Sequence, residues 1–450
     1  MSMSYPVKTY LGTIATGHSR GLTRRAVLAL SGTLPIIMAA CVPRQQPTFE
    51  KGTPLAISGT ITYAFLGNPV FYQMNQEAAA EFERAFPSVK LELAYLPEGM
   101  YDKIQAMYAG KVSPDVWEPD AARFPAWAER DSFLPIDSYV QRDQGKGFDV
   151  NDIWPNLRRS AEYKGKLLGV LCRYTVNAMF YNQDLLDRHG IPYPSEAWTV
   201  ADLVVQAQKL TDVAAGIWGF GRGFWNHWLW AFGGEILEGR DGRWRSAMGS
   251  PKSVEALQWM QDLHYKYRVS YTAQQRGGLS DIQLFINGRV AYADQRVTRV
   301  ADIRAAEASQ LRWDVSWMPK GPAGRFAWGI GVNRCISSQT RNPETAWQFV
   351  KFLFSKPEIA TISIPPNMSY AYSPKFLNTG LPPRNMKAFL DAIAYSKDYP
   401  NEQGRWPELE VIVNRELNRL WNNEASARAV GEAIDKAVNA QLDQWGQLLK

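Results

Sequence analysis

Aromatic rings set among hydrogen-bonding side chains are the feature of this chain that points most directly to chemistry. It carries 17 Trp and 20 Tyr, and rings crowd most densely in Phe224-Trp225-Asn226-His227-Trp228-Leu229-Trp230. A sugar offers hydroxyls to planar polar groups and apolar C–H faces to rings, so a sugar cleft needs Trp or Tyr platforms beside Asp, Asn or Arg. The same rings could instead fill a large core. Arg173, Arg222 and Arg296 add guanidinium forks that suit a carboxylate or phosphate, or that face solvent.

Carboxylates such as Asp120, Glu235 and Asp294 could also pair across a glycosidic bond, which makes an exported glycoside hydrolase the rival class. Other catalytic signatures do not occur: there is no His-Glu-x-x-His, no Gly-x-Ser-x-Gly and no Walker loop. Gly219-x-Gly221-x-Gly223 precedes no convincing helix at nucleotide-fold spacing. His189, His227 and His264 lie too far apart in sequence to suggest a metal pair, and Cys172 and Cys335 fit no metal motif. The expectation is binding without catalysis, cofactor or metal.

The N-terminus reads as an address. A basic stretch around Arg20, Arg24 and Arg25, an apolar run and the exit Met38-Ala39-Ala40-Cys41 match a signal peptide over 1–40. The Arg24-Arg25 pair resembles a twin-arginine export signal. Met38 to Cys41 resembles a bacterial lipoprotein box with Cys41 as the lipidated residue; the alternative is a plain signal peptide with an incidental cysteine. Residues 41–59, with three prolines from Pro43, then read as a tether. The whole chain carries 50 Lys+Arg against 44 Asp+Glu, but Lys8, Arg20, Arg24 and Arg25 belong to the leader. The remainder is close to neutral and has no basic run, so nucleic acid is not an expected partner.

At 450 residues the chain is long enough for two or three domains. From Thr60 its periodicity alternates between strand and helix. Ile61–Phe65 reads as a strand, Met74, Ala78, Phe82 and Phe86 as a helix face, and Val89, Leu91, Leu93 and Tyr95 as a second strand. Tyr101, Ile104 and Tyr108 predict a helix stopped at Gly110, and Asp115-Val116-Trp117 a short buried strand. Further helices are expected at Thr199–Leu210, Ser253–Tyr267, Pro343–Phe354, Glu408–Trp421 and Ser426–Leu449, the last with Val430, Ile434, Val438, Leu442, Trp445 and Leu449 on one docking face. Such alternation implies an α/β fold with a ligand crevice at the carboxyl ends of strands.

Several segments in order resemble the bacterial extracellular solute-binding proteins of family 1, the group that includes the maltose-binding protein. They include Tyr101-Asp102-Lys103-Ile104 with Pro114-Asp115-Val116, Tyr163-Lys164-Gly165-Lys166-Leu167-Leu168-Gly169-Val170, and Tyr181-Asn182-Gln183-Asp184-Leu185 with Gly190-Ile191-Pro192. Trp198, Phe232-Gly233-Gly234, Phe285-Ile286-Asn287-Gly288-Arg289-Val290-Ala291 and Ala346-Trp347-Gln348-Phe349-Val350-Lys351-Phe352-Leu353 continue the run. The resemblance implies a two-lobe periplasmic-binding-protein-like fold, with hinge-crossing strands and a ligand cleft between the lobes. It puts 60–173 plus 295–355 in lobe 1 and 174–294 plus 356–450 in lobe 2, with crossings near Tyr174–Asn177 and Ala291–Gln295. It implies a monomer that captures a sugar or oligosaccharide and serves an ABC permease with its ATPase subunits; a non-sugar solute such as a peptide, polyamine or sugar phosphate is the alternative.

By the same resemblance the loop before Gly233 supplies Trp225 and Trp228 to the cleft. Asn68 and Asp120 follow strands, Tyr174, Thr175 and Asn177 lie on the first crossing, and Asp294 and Arg296 on the second. Trp328, Asn367 and Tyr370 complete the set. Asn68 and Asp120 could instead cap turns, and Asp294 could pair with Arg296 or Arg299. Thr175 falls where the maltose-binding protein has a ligand-binding carboxylate, so maltose itself is not implied.

Overall fold

The computed structural model describes residues 57–221, 223–240, 243–306, 311–360, 362–400 and 405–448. The leader, Cys41 and Arg222 lie outside the described residues. In chain order the elements that shape the site are β1 (Gly59–Phe65), α1 (Pro69–Ala85), β2 (Val89–Tyr95), α2 (Met100–Ala109), β3 (Val116–Trp117), β4 (Gly169–Asn182), α3 (Val200–Leu210) and β5 (Trp218–Gly221). They continue with α4 (Asn226–Ala231), α5 (Pro251–Tyr265), β6 (Val290–Arg296), β7 (Trp313–Ser316), β8 (Ala327–Ile336), α6 (Pro343–Phe354), β9 (Ser396–Lys397), α7 (Trp406–Trp421) and α8 (Ala427–Leu448). Local chemistry sets their ends. Asn68 Oδ1 accepts the Phe71 N–H at 2.9 Å to cap α1, with Pro69 in its first turn. Thr199 and Asp202 close a capping box on α3.

Among the described residues nine strands form one sheet, ordered β2-β1-β3-β8-β4-β6-β5, with β7 also on β4 and β9 on β8. β1 runs parallel to β2 and β3, the expected β-α-β opening. The long β4 joins two half-sheets, and all fourteen of its residues are buried. Its apolar run has no exposed face, as a strand covered on both sides requires. Gly169–Val176 pairs with β8, and Asn177–Asn182 pairs with β6 and β7. The near half is therefore β2, β1, β3, β8 and the start of β4. The far half is β5, β6, β7 and the end of β4.

This pairing moves the expected boundaries. Residues 297–326 were expected in the first lobe, yet β7 pairs antiparallel with Met179–Asn182 in the far half. The chain returns to the near half only through β8, one strand later. Conversely Tyr174 and Ile364, both expected in the second lobe, exchange two backbone hydrogen bonds, and Tyr174 pairs with Gly331 of β8 in the near half. Both departures have one cause: register is settled by partners distant in sequence, which periodicity does not report.

Buried charge stiffens the near half. Glu118, with no exposed surface, takes the guanidinium groups of Arg173 and Arg334 and the hydroxyl of Tyr63. Burial works against the Glu118 charge, but the two guanidinium groups outweigh it and lower its pKa. Arg173 is thus neither solvated nor available to a ligand. In the far half α8 buries Val430, Ile434, Val438, Leu442 and Trp445 of the stripe read from its spacing; the sixth position, Leu449, lies outside the described residues. Each such side chain contributes roughly 1.5–3 kcal/mol of burial.

Candidate functional site

The strand crossing organises the site. β4 changes partner between Val176, opposite Gly329 of β8, and Asn177, opposite Arg296 of β6. Asn177 and Asp294 are fully buried there. Asn177 Nδ2 donates to Asp294 Oδ1 at 2.6 Å. Asp294 Oδ2 accepts the Phe224 N–H at 3.1 Å and lies 3.0 Å from His227 Nε2. One carboxylate therefore fastens the 223–225 loop and α4 to the crossing strands. Gly223 is the residue this close approach permits, because a Cβ there would overlap the Asp294 side chain.

The fastened loop presents a ring. Phe224 stacks on Trp328 with centroids 4.9 Å apart at 19°. Trp328 lies 5.6 Å from Tyr399, which stacks on Trp406 at 4.8 Å. The Arg296 guanidinium sits 5.3 Å from the Phe224 centroid and 5.9 Å from that of Trp328, within cation–π range. Burial and the neighbouring Arg299 both lower the Arg296 pKa. Beside this cluster is a cavity of about 220 Å³, lined among others by Phe224, Arg276, Asp281, Asp294, Arg296 and Arg299.

A second polar group belongs to the same neighbourhood. Asp120 accepts the Tyr101 hydroxyl at 2.9 Å and pairs with Arg123 at 2.6 Å. Arg123 interacts electrostatically with Glu410 of α7, and Glu410 accepts the Tyr399 hydroxyl. Burial raises the Glu410 pKa against the opposing pull of Tyr399 and Arg123. Tyr101, Asp120 and Arg123 stand on loops and helices of the near half, whereas Tyr399 and Glu410 come from the C-terminal segment. Planar hydrogen-bonding groups beside stacked rings suit recognition of a hydroxylated ring, with no nucleophile or metal implied.

The structure brings only part of the expected set together. Asn177, Asp294, Arg296 and Trp328 meet at the crossing. Asp120 joins the Arg123–Glu410 group, although its carboxylate also caps the turn by accepting the Arg123 N–H at 3.0 Å. Trp225 is half-buried at the head of α4. Trp228 is 3% exposed and packs among Phe220, His227 and Trp259, which makes it core. Asn68 is the α1 cap. Tyr174 is buried with its hydroxyl 2.7 Å from Ser396 Oγ, and Thr175 is buried 3.3 Å from Ser363 Oγ. Asn367 and Tyr370 are buried, with no hydrogen bond or ring contact to the Arg296 cluster. Asp294 pairs with neither Arg296 nor Arg299, since its oxygens point to Asn177, Phe224 and His227. Glu235, the remaining carboxylate of the hydrolase reading, pairs with Lys397 at 2.7 Å.

Sequence reading missed Phe224, Arg123, Tyr399 and Glu410 as site residues. Phe224 carried a signal, since it follows the Gly219-x-Gly221-x-Gly223 run and heads the aromatic segment. Tyr399 and Glu410 carried none, because they reach the site only through the return of the chain after β9.

The model of the bacterial extracellular solute-binding proteins matches residues 77–379. The chain belongs to this family. A binding protein of Brucella abortus (strain 2308) is 24% identical over 376 residues, covering 79% of this chain and 86% of that one. An ABC substrate-binding protein from Listeria monocytogenes, solved in complex with cycloalternan, is 23% identical with a TM-score of 0.77, covering 86% of this chain and 99% of that one. UgpB from Mycobacterium tuberculosis, solved in complex with glycerophosphocholine, is 18% identical with a TM-score of 0.73, covering 86% and 99%. At these identities the solved structures speak for the fold, and the two half-sheets of this solute-binding protein are the sheets of its two lobes. The family places its work outside the cytoplasm, and no helix among the described residues is long and apolar enough to cross a membrane.

Proposed function

We propose that this solute-binding protein captures a sugar or oligosaccharide at the strand crossing and delivers it, unaltered, to an ABC permease with its ATPase. The observation that carries this reading is the cluster of Phe224, Trp328 and Tyr399 around Arg296, at the step where β4 passes from one lobe to the other. Rings supply faces for C–H groups, and Asp120, Arg123, Glu410 and Arg296 supply donors and acceptors for hydroxyls. The ligand complex of the Listeria protein supports the same class of cargo. Ligand contacts made from both lobes at once would favour the closed state, and a permease that recognises the closed shape would read occupancy. The protein acts as a monomer held to the membrane through lipid on Cys41, a reading that rests on the Met38-Ala39-Ala40-Cys41 ending.

The test is a thermal-shift screen of the purified protein against mono- and oligosaccharides, with the ligand recovered and analysed. A solute that binds only the native state raises the melting temperature. The expected result is a rise with one saccharide class, recovered intact, and its reduction by at least tenfold in affinity in Trp328→Phe and Trp225→Ala. Unchanged affinity in both variants refutes the site, and a chemically altered saccharide refutes binding without turnover.

A further inference from the structure

Arg296 stands out among the charges of the cleft because, among the described residues, no carboxylate lies within ion-pair distance of it; Asp302, which acts on it from farther away, is paired with Arg299. Arg299 is held by Asp302 at 2.7 Å. Arg276 reaches only to 3.8 Å from Asp281, whose carboxylate already accepts the Tyr271 hydroxyl at 2.7 Å, and Arg276 Nε is buried without a partner. Asp294 is turned toward Asn177, Phe224 and His227. No ion pair is found for Arg296 among the described residues, while rings cover its guanidinium. Removing a cation from water without a counter-charge is costly, and a ligand that supplies one recovers that cost.

We infer that the solute carries an oxyanion, a phosphate or a carboxylate, which Arg296 and Arg276 receive in the cavity beside Phe224. This rests on the proposed reading of the cleft and narrows its cargo to acidic or phosphorylated sugars. The guanidinium fork matches either oxyanion with two parallel hydrogen bonds, which a hydroxyl does not offer. A cavity of about 220 Å³ is small beside ordinary ligand pockets of several hundred Å³, and suits one end group rather than a whole oligosaccharide. The sugar ring would then lie toward Trp328.

The experiment is calorimetric titration of the purified protein with glucose 6-phosphate, glucuronate and glycerol 3-phosphate, against glucose and maltose. Expected is binding of an acidic sugar at least about tenfold tighter than its neutral counterpart, a gap that narrows with added salt. Glucose 6-phosphate against glucuronate separates phosphate from carboxylate. Arg296→Gln should lose at least about tenfold for the acidic probe, with Arg296→Lys intermediate and the melting temperature of both verifying the fold. If glucose or maltose binds as tightly as the acidic sugars, or Arg296→Gln binds them undiminished, the oxyanion inference falls while the sugar reading stands. If only glycerol 3-phosphate binds and needs Arg296, the oxyanion stands and the sugar reading falls. No binding of any acidic probe overturns the inference.

Discussion

Replacing Gly223 by alanine tests the architecture of the cleft with a single methyl group. That methyl would overlap the Asp294 carboxylate and its Cβ, so either the loop lifts or the carboxylate turns. Overpacking alone costs about 1–3 kcal/mol. Loss of the Phe224 N–H bond to a charged acceptor, 3.1 Å in the native protein, costs about 1.5–3 kcal/mol. The two overlap, and about 3 kcal/mol is the expected total. With an unfolding entropy of about 2.1 cal/mol/K per residue over roughly 400 residues, this lowers the melting temperature by about 4 °C when both lobes melt together, and by more when the far lobe melts alone. Lifting the loop also withdraws Phe224 from Trp328, so ligand affinity should fall with stability. The control is Gly221→Ala, whose methyl meets a Val290 methyl at 3.1 Å and the Tyr271 hydroxyl at 3.5 Å; it calls for a shift of only tenths of an ångström. Scanning calorimetry and ligand titration on both variants decide the matter. Equal melting temperatures and equal affinities for Gly223→Ala and the native protein would refute the claim that Asp294 pins this loop.

Glu118→Ala should destabilise the near lobe by about 3–5 kcal/mol in denaturant melts, because it strands Arg173 and Arg334 in the interior; a loss under 1 kcal/mol would contradict this. Glu118 and Asp143 both have lowered pKa values in the folded protein: burial opposes each charge, and the guanidinium partners of Glu118, or Arg142, Trp347 and Lys351 around Asp143, overcome it. Their stabilisation is therefore complete above the unfolded carboxylate range near 4 and is lost as pH falls through the lowered folded values. Melting temperatures recorded from pH 6 to pH 3 should fall, and fall less steeply in Glu118→Gln. Cys172 and Cys335 are free and buried, and burial pushes the Cys172 thiol up to about 12. Neither should react with a thiol reagent at pH 8 until the protein unfolds; labelling of either one in the native protein, mapped by peptide mass spectrometry to distinguish it from Cys41, would argue against their burial.

Elements with strong local signals were legible from the chain. Pro343–Phe354 was read with both ends in place, because Pro343 opens the first turn and the apolar positions repeat at helical spacing. Of the six apolar positions whose spacing announced a docking face, Val430, Ile434, Val438, Leu442 and Trp445 are buried, and Leu449 lies outside the described residues. Asn68 and Asp120 carried the alternative of capping, and each does cap. Trp228 and Trp225 could not be told apart in sequence. They stand three residues apart, Trp225 capping the short helix on which Trp228 lies, and only the packing of Phe220 and Trp259 shows that Trp228 is buried core while Trp225 stays half-buried.

The amino-acid sequence by itself determined the α/β alternation, the place of the long helices, the family and the aromatic stock from which a cleft could be built, because each depends on neighbours within a few turns or on an ordered series of short segments. Only the tertiary structure decided that β7 lies in the far lobe, that Arg173 is spent on Glu118, that Asp294 holds the Phe224 loop, and that Arg296 makes no ion pair among the described residues. Each of these turns on strand pairing or on the desolvation of a charge by residues far away in the chain, and neither quantity exists until the chain has folded.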